Sequence, residues 1–275
     1  RENTIWMGIL NLTPDSFSDG GLYYQSPKKA LARALELVRY GAKIIDVGGV
    51  STRPTNVYGG SNHTITPQQE LNRIFDSLVL LRKELPSSVL ISIDTYSPYV
   101  AAQLASQGLI DVINDVYAGG VVEEVKPNSY ATTFHIASEY KCGLIAMHMQ
   151  GSPQTMQINP VYENCIEDVF NFFVKKISFA QEMKISSLIL DPGIGFGKTF
   201  EHNLLLLSKQ GIQKFKELNL PLVYGLSRKK FIKTLYQTKQ CNDFLCIDFY
   251  AKDLEEECFN QGVKIIRTHR LPQEL

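Results

Sequence analysis

The stretch Leu188-Ile-Leu-Asp191-Pro-Gly-Ile-Gly-Phe196-Gly-Lys198-Thr199 decides how this chain is read. A short apolar run ends in an aspartate, and three glycines follow within six residues. The run has the composition of a buried strand. The glycines permit φ > 0 or a close approach of backbone. A carboxylate that ends a buried strand is costly unless it has a partner, so Asp191 calls for a structural cation or a ligand. Gly-Phe-Gly-Lys-Thr has the look of a phosphate-binding loop. That loop needs a glycine five positions before Gly197, where Pro192 stands. A dinucleotide fingerprint would need glycine at 198, where Lys198 stands. The plain alternative is an ordinary glycine-rich strand-to-helix turn.

Working outward, similar short apolar runs occur at 5–11, 43–49, 89–94, 110–115, 143–148, 220–225 and 263–267. Helical spacing lies between them. Pro27 follows Ser26 at a first helical position, with Leu31, Ala34, Leu35 and Val38 on one stripe. Thr66-Pro67 with Gln69 reads as a capping box. Further helices are predicted from Pro98 to about Gly108, over about 121–140 with a break at Pro127, and from Pro160 to about Lys184. Others are predicted around 204–207 and 212–218, after Ser227, and over 244–261. Continuous apolar strands alternating with helices mean a parallel sheet covered on both faces. Eight such units in one chain of 275 residues fit a closed (β/α)₈ TIM barrel forming a single domain. An open doubly wound sheet is the alternative fold.

Composition narrows the function. A hydrophobic share of 44% and a charged share of 20% fit a folded globular chain. Net charge is zero and no basic stripe is present, which argues against a nucleic-acid partner. No apolar run approaches the roughly 20 residues of a membrane span. The five cysteines are odd in number and form no Cys-x-x-Cys pair. Free thiols in a reducing cytoplasm are expected. The sequence starts at Arg1 and not at Met, so a module of a longer chain is an expectation.

Asn11, Asp46, Asp94, Asn114, Asp115, Met147, His148, Asp191, Arg267 and His269 all fall at predicted C-terminal strand ends. In a barrel those ends share one mouth, where catalysis occurs. Any one of the aspartates could simply cap the next helix, but capping does not explain so many. Asp94, Asn114 and Asp191 offer acceptors and one amide. A carboxylate takes two parallel N–H bonds from a guanidine-like edge, such as that of a 2-amino-4-oxo-pterin. Arg53, Lys229, Arg267 and His269 suit a polyanion such as pyrophosphate. Asn11 could hold Mg²⁺, a hard cation that prefers oxygen and keeps several waters. His148 reads as a packed or hydrogen-bonded strand residue, since metal-ligand spacing is absent.

The chain resembles the dihydropteroate synthases of the folate pathway. The resemblance rests on Ile9-Leu-Asn-Leu-Thr-Pro-Asp-Ser-Phe-Ser-Asp-Gly-Gly21, Gly48-Gly-Val-Ser-Thr-Arg-Pro54, Ile93-Asp-Thr95, Ile113-Asn-Asp-Val116, Met147-His-Met-Gln-Gly151, the opening stretch, and Ser227-Arg-Lys-Lys-Phe231. It implies that 6-hydroxymethyl-7,8-dihydropterin pyrophosphate is joined to p-aminobenzoate, with pyrophosphate released. By the same resemblance the pterin pocket is Asp94, Asn114, Met147, Asp191, Phe196, Gly225 and Lys229. The pyrophosphate site is Asn11, Arg267 and His269, with Mg²⁺ at Asn11. Catalysis falls to Asp94, Lys229, Arg267 and His269. Phe17, Thr52, Arg53, Pro54 and Ser227 shape the p-aminobenzoate site, on loops 12–21 and 51–60 and before a helix N-terminus. Sulfonamides are implied as competitors, and a homodimer through the C-terminal helices as the assembly.

The chain departs from the family pattern at Val50, often Glu. It departs again in its last helix, where Cys246-Ile-Asp-Phe-Tyr and Glu255-Glu-Glu257 replace a Gly-Thr and alanines, and at Arg270, usually Asp. Two other readings follow. One is a corrinoid-type pterin methyltransferase, and the other is a non-catalytic pterin-binding module of a multifunctional chain.

Overall fold

Residues two apart on a strand share a face. Ile44 precedes Asp46 in this way, Val112 precedes Asn114, Ile145 precedes Met147, and Ile189 precedes Asp191. Val223 likewise precedes Gly225, and Ile265 precedes Arg267. The first members of these pairs form one buried cluster with Met7, separate from the main core. They make an apolar floor inside the barrel, and each places a mouth residue one pleat above it. The computed structural model describes residues 4–13, 23, 26–50, 65–120, 132–151, 156, 159–236 and 244–274.

The strands are β1 Ile5–Asn11, β2 Ala42–Gly48, β3 Leu90–Asp94, β4 Val112–Asp115, β5 Gly143–Met147, β6 Leu188–Asp191, β7 Val223–Gly225 and β8 Ile265–Thr268. They lie in the order β6-β5-β4-β3-β2-β1-β8-β7, and the pairs are parallel. The two outer strands meet at the parallel bridge Leu190–Leu222, where Leu190 N donates to Pro221 O at 3.0 Å. The expected (β/α)₈ barrel is therefore the fold.

Around it run α1 Pro27–Arg39, α2 Pro67–Glu84, α3 Pro98–Ala105, α4 Thr133–Tyr140 and α5 Cys165–Glu182. They are followed by α6 Phe200–Leu207, α7 Lys209–Lys216, α8 Lys230–Leu235 and α9 Phe244–Asn260. Their buried stripes pack on the outward strand residues in one large cluster, including Leu37, Ile74, Leu78, Phe134, Phe173 and Phe215. The capping box at Thr66 is present, with both reciprocal bonds made. Several expectations need correction. The helix expected from Pro160 begins at Cys165. Asn159 holds a positive φ of 48°, and Asn164 caps the helix by accepting from Glu167 N. Strand eight starts at Ile265 because Val263 N still bonds Cys258 O and closes the preceding helix. Ser227 does not open α8. That helix starts at Lys230, with Lys229 at the N-cap position and no side-chain capping bond there. The part of the predicted 121–140 helix before Thr132 lies outside the described residues. Cys142, Cys165 and Cys258 are free and buried, but Cys246 is disulfide-bonded, so the expectation of free thiols fails there.

The glycine run after β6 is a close-packing device. A Cβ at Gly193 would lie 1.9 Å from His148 O, and one at Gly197 would lie 2.5 Å from Gln150 O. Both residues hold positive φ, 69° and 60°. Only glycine lets this turn lie against the backbone that follows β5.

Candidate active site

Strand register alone assembles the rim. Asn11 pairs with Gly48, Gly48 with Asp94, and Asp94 with Asn114, so these four form one rung. Asp191 stands beside Met147 on the next pair. One pleat lower, Asp46 is fully buried. Its Oδ2 accepts from Asn114 Nδ2 at 3.0 Å and from Arg267 Nε at 2.7 Å. Arg267 Nη2 donates to Asp94 Oδ2 at 2.7 Å. A single guanidinium thus joins two carboxylates across the mouth. Burial works against the Arg267 charge, but Asp46 and Asp94 outweigh it and raise its pKa. Burial pushes Asp94 above the usual carboxylate range. Arg267 opposes that rise, and Asp46, sharing the same cation, adds to it.

Among the described residues, two oxygens at this junction, Asp46 Oδ1 and Asp94 Oδ1, are buried and have no hydrogen-bond partner. Such groups normally have one, and leaving one bare is costly. Asp191 Oδ1 accepts from Gly193 N at 2.7 Å. Burial raises the Asp191 pKa, against the pull of that N–H, of Lys229 and of Arg267. Lys229 Nζ lies 4.0 Å from the centre of the Phe196 ring, so the two flank the same edge of the pocket. Gly225 pairs with Arg267 across β7 and β8.

Alternation sends other strand-end residues outward. Asp115 ties its own loop, accepting from Tyr117 N, Gly119 N and Thr133 Oγ1. The capping alternative is not met at either aspartate: Asp115 organises a turn, and Ser97 caps the helix after Asp94. His148 packs edge-on against Phe172, and its Nδ1 lies 3.0 Å from Lys198 Nζ. Burial and the adjacent lysine pull His148 down to about 3, which fits the packed-residue reading. Burial also pulls Lys198 down, to about 7.

The end of β8 follows the alternation too. Arg267 points inward. Thr268 points to the helix layer, where Lys252 Nζ reaches its Oγ1 at 3.4 Å and the Arg270 carbonyl at 2.5 Å. His269 turns back toward Ser227, with Nδ1 3.0 Å from Ser227 Oγ. Arg33 Nη2 donates to the His269 carbonyl at 2.7 Å, pinning the segment from α1. Phe17, Thr52, Arg53 and Pro54 lie outside the described residues.

Residues 7–269 match the family described as pterin binding enzyme. The chain belongs to this family, among the dihydropteroate synthases. It is 39% identical to the dihydropteroate synthase of Synechocystis sp. over 84% of this chain and 74% of that one. Identity to the Escherichia coli K12 dihydropteroate synthase is 38%, over 96% of this chain and 85% of that one. The Yersinia pestis dihydropteroate synthase solved with a sulfonamide drug superposes with a TM-score of 0.83 at 32% identity, covering 98% and 89%.

Within this dihydropteroate synthase fold, sequence reasoning gave no role to Arg33, Asp248 or Lys252. Asp248 lies on the buried stripe of α9 with Ile247, Ala251, Glu255 and Cys258, and Lys252 pairs with the buried Glu255 at 2.8 Å. Charged residues interleaved in an apolar stripe were the available signal.

Proposed function

We propose that this chain condenses 6-hydroxymethyl-7,8-dihydropterin pyrophosphate with p-aminobenzoate, giving 7,8-dihydropteroate and pyrophosphate. The carrying observation is the pair of unpartnered buried oxygens, Asp46 Oδ1 and Asp94 Oδ1, on the rim that also carries Asn114 and Asp191. A pterin presents adjacent N–H donors, and buried acceptors of this kind are what such donors would satisfy. Met147 and Phe196 supply apolar contact for the ring. Lys229 lies beside Phe196 and pulls on Asp191, so it belongs to the same pocket.

Breaking the methylene C–O bond builds positive charge on the pterin side and negative charge on the departing pyrophosphate. The amine of p-aminobenzoate then forms the C–N bond and loses its proton. Asp94 stabilises the positive side through space. Arg267 has two of its N–H donors on Asp46 and Asp94. The others suit phosphate oxygens, and His269 stands two residues on. Fixed charges of this kind often provide the largest single stabilisation.

Mg²⁺ fits the oxygen chemistry at the rim. Asn11 Oδ1 and Asp94 Oδ2 lie 3.6 and 3.9 Å from the point where a Gly48 Cβ would stand. No group of three His, Cys, Asp or Glu among the described residues could hold a metal ion. Asn11 would therefore hold Mg²⁺ alongside phosphate oxygens and waters, its usual manner. The ion would supply charge neutralisation for the leaving group.

Phe17, Thr52, Arg53 and Pro54 are assigned to the p-aminobenzoate and sulfonamide site. Ser227 joins them, although its hydroxyl is engaged with Asp248 and His269. The homodimer would use α9, where Leu245 and Phe249 are exposed. Calorimetry with the pterin pyrophosphate tests the pocket. Asp191→Ala should lose on the order of 2–5 kcal/mol of binding, as when one partner of a buried charged hydrogen bond is truncated. Unchanged affinity would refute the assignment.

A further inference from the structure

Ser227, buried between β7 and α8, makes three polar contacts through one oxygen. Its Oγ lies 2.6 Å from Asp248 Oδ1 and 3.0 Å from His269 Nδ1. It also accepts from the His269 backbone N–H at 3.3 Å. A hydroxyl has one proton and two lone pairs. Asp248 is an ion-paired carboxylate, with Arg228 Nε 3.1 Å from its Oδ2, so it offers no proton of its own. The serine proton must therefore go to Asp248, since two acceptors facing each other at 2.6 Å would repel. Both lone pairs of Ser227 then face His269, and its Nδ1 must carry a hydrogen.

We propose that Asp248, acting through Ser227, is a positioning residue that locks His269 in the Nδ1–H form and directs Nε2 to the substrate side. This rests on the synthase reading for what Nε2 meets, a phosphate oxygen of the leaving group. With Nδ1 occupied by its own hydrogen, a second proton on the ring sits at Nε2, where it can be donated to that oxygen. The order Asp–Ser–His places serine in the middle with its proton turned away from the ring. That separates the arrangement from a nucleophilic serine activated by a histidine base.

The supports of the array are also fixed. Asp248 is fully buried on the inner stripe of α9. Arg228 holds a positive φ of 60°, unfavourable for a residue with a side chain, and is kept there by Asp248 and by the Phe244 ring 5.1 Å away. The other charged groups facing the array are Arg270, whose Nε is 4.0 Å from Asp248 Oδ2, and Arg33 on the His269 carbonyl. Among the described residues, Lys252 on the Arg270 carbonyl and the buried Glu255, paired with Lys252 at 2.8 Å and close enough to feel the Asp248 charge, also face it. A carboxylate placed so that a histidine presents the right nitrogen is a recurrent way to orient an imidazole.

The test is ¹⁵N NMR of histidine-labelled protein above the imidazole titration. The chain has five histidines, and the His269 ring is identified by its loss in His269→Asn. The wild type should show a protonated Nδ1 and an Nε2 that carries no proton. Ser227→Ala and Asp248→Asn should each move the ring toward the Nε2–H form. Asp248→Asn should also weaken pyrophosphate binding by on the order of ten- to a hundredfold, the range for partners that orient a ring nitrogen. An Nε2–H ring in the wild type overturns the proposal. So does an Nδ1–H ring unchanged in both variants. The spectrum needs no turnover, so these outcomes are distinct from failure of the synthase reading, which would leave the Nδ1–H ring intact and release no pyrophosphate.

Discussion

The barrel mouth has two arcs that are built differently. On the arc from β2 to β6, Asp94, Asn114, Met147 and Asp191 are placed by strand register and by a glycine turn on backbone. On the arc of β7 and β8, Ser227, Arg267 and His269 are held by side chains from elsewhere. Asp248 and Lys252 reach in from α9, Arg33 reaches in from α1, and Asp46 reaches past β1 from β2. The first arc is acidic, and in the proposed function it is the one that would read a neutral, donor-rich ring. The second carries Arg267 and His269, and in the proposed function it would face the charge that leaves. A site set by backbone tolerates change in the surrounding helices, whereas a site set by helix side chains must change together with them. Of the departures from the family pattern, those at 246–250, 255–257 and 270 fall beside the second arc, and Val50 follows β2 on the first.

The sharpest way to break this division is at the residue joining the arcs. Asp46→Ala leaves Arg267 half paired and Asn114 without its acceptor. It should cost about 3–5 kcal/mol of folding stability, as expected when one partner of a buried ion pair is removed. Urea denaturation reads this directly, and a loss below about 1 kcal/mol would mean the arcs are independent. Next comes Gly193→Ala, which meets both a positive φ and the His148 carbonyl. A loss of about 3 kcal/mol is expected. Gly225→Ala should be mild by contrast, because its Cβ would meet only Arg267 at 3.9 Å.

A smaller effect concerns pH. His148 has a folded pKa of about 3 against an ordinary 6.5, so the folded state binds fewer protons between those values. Its contribution to stability is complete above pH 6.5 and is lost as pH falls toward 3. The Tm of the wild type should therefore fall more steeply across that window than the Tm of His148→Phe. Parallel curves would show that the ring is charged in the folded state. The smallest effect is at Arg270, 38% exposed at the side chain and 4.0 Å from Asp248. Arg270→Ala should change pyrophosphate affinity by no more than about 0.5 kcal/mol. Arg267→Ala should lower it strongly, since an Arg–phosphate contact is charge-assisted and often bidentate. A larger loss at Arg270 would place the anion site on the wrong face of β8.

The same division explains what could be read in the sequence. The barrel was legible because each strand is a short apolar run, and where a run carries polar residues at its end, alternation assigns each to the mouth or the helix layer. Asp94 and Asp191 follow from this rule, as do Arg267 and the outward His148. Asp248 does not. Its partner Ser227 is 21 residues away and His269 is the same distance beyond it. Only tertiary packing of α9 on β8 brings them together. Asp46 was noted as a strand end, but the contact with Arg267 spans 221 residues, and no local pattern announces it.

The central claim is tested most directly by pyrophosphate release from the purified chain with Mg²⁺, the pterin pyrophosphate and p-aminobenzoate. Sustained release is predicted only when both organic substrates are present, with 7,8-dihydropteroate formed in equal amount and a sulfonamide inhibiting competitively against p-aminobenzoate. Release that does not depend on p-aminobenzoate, or pterin binding without any release, would contradict it.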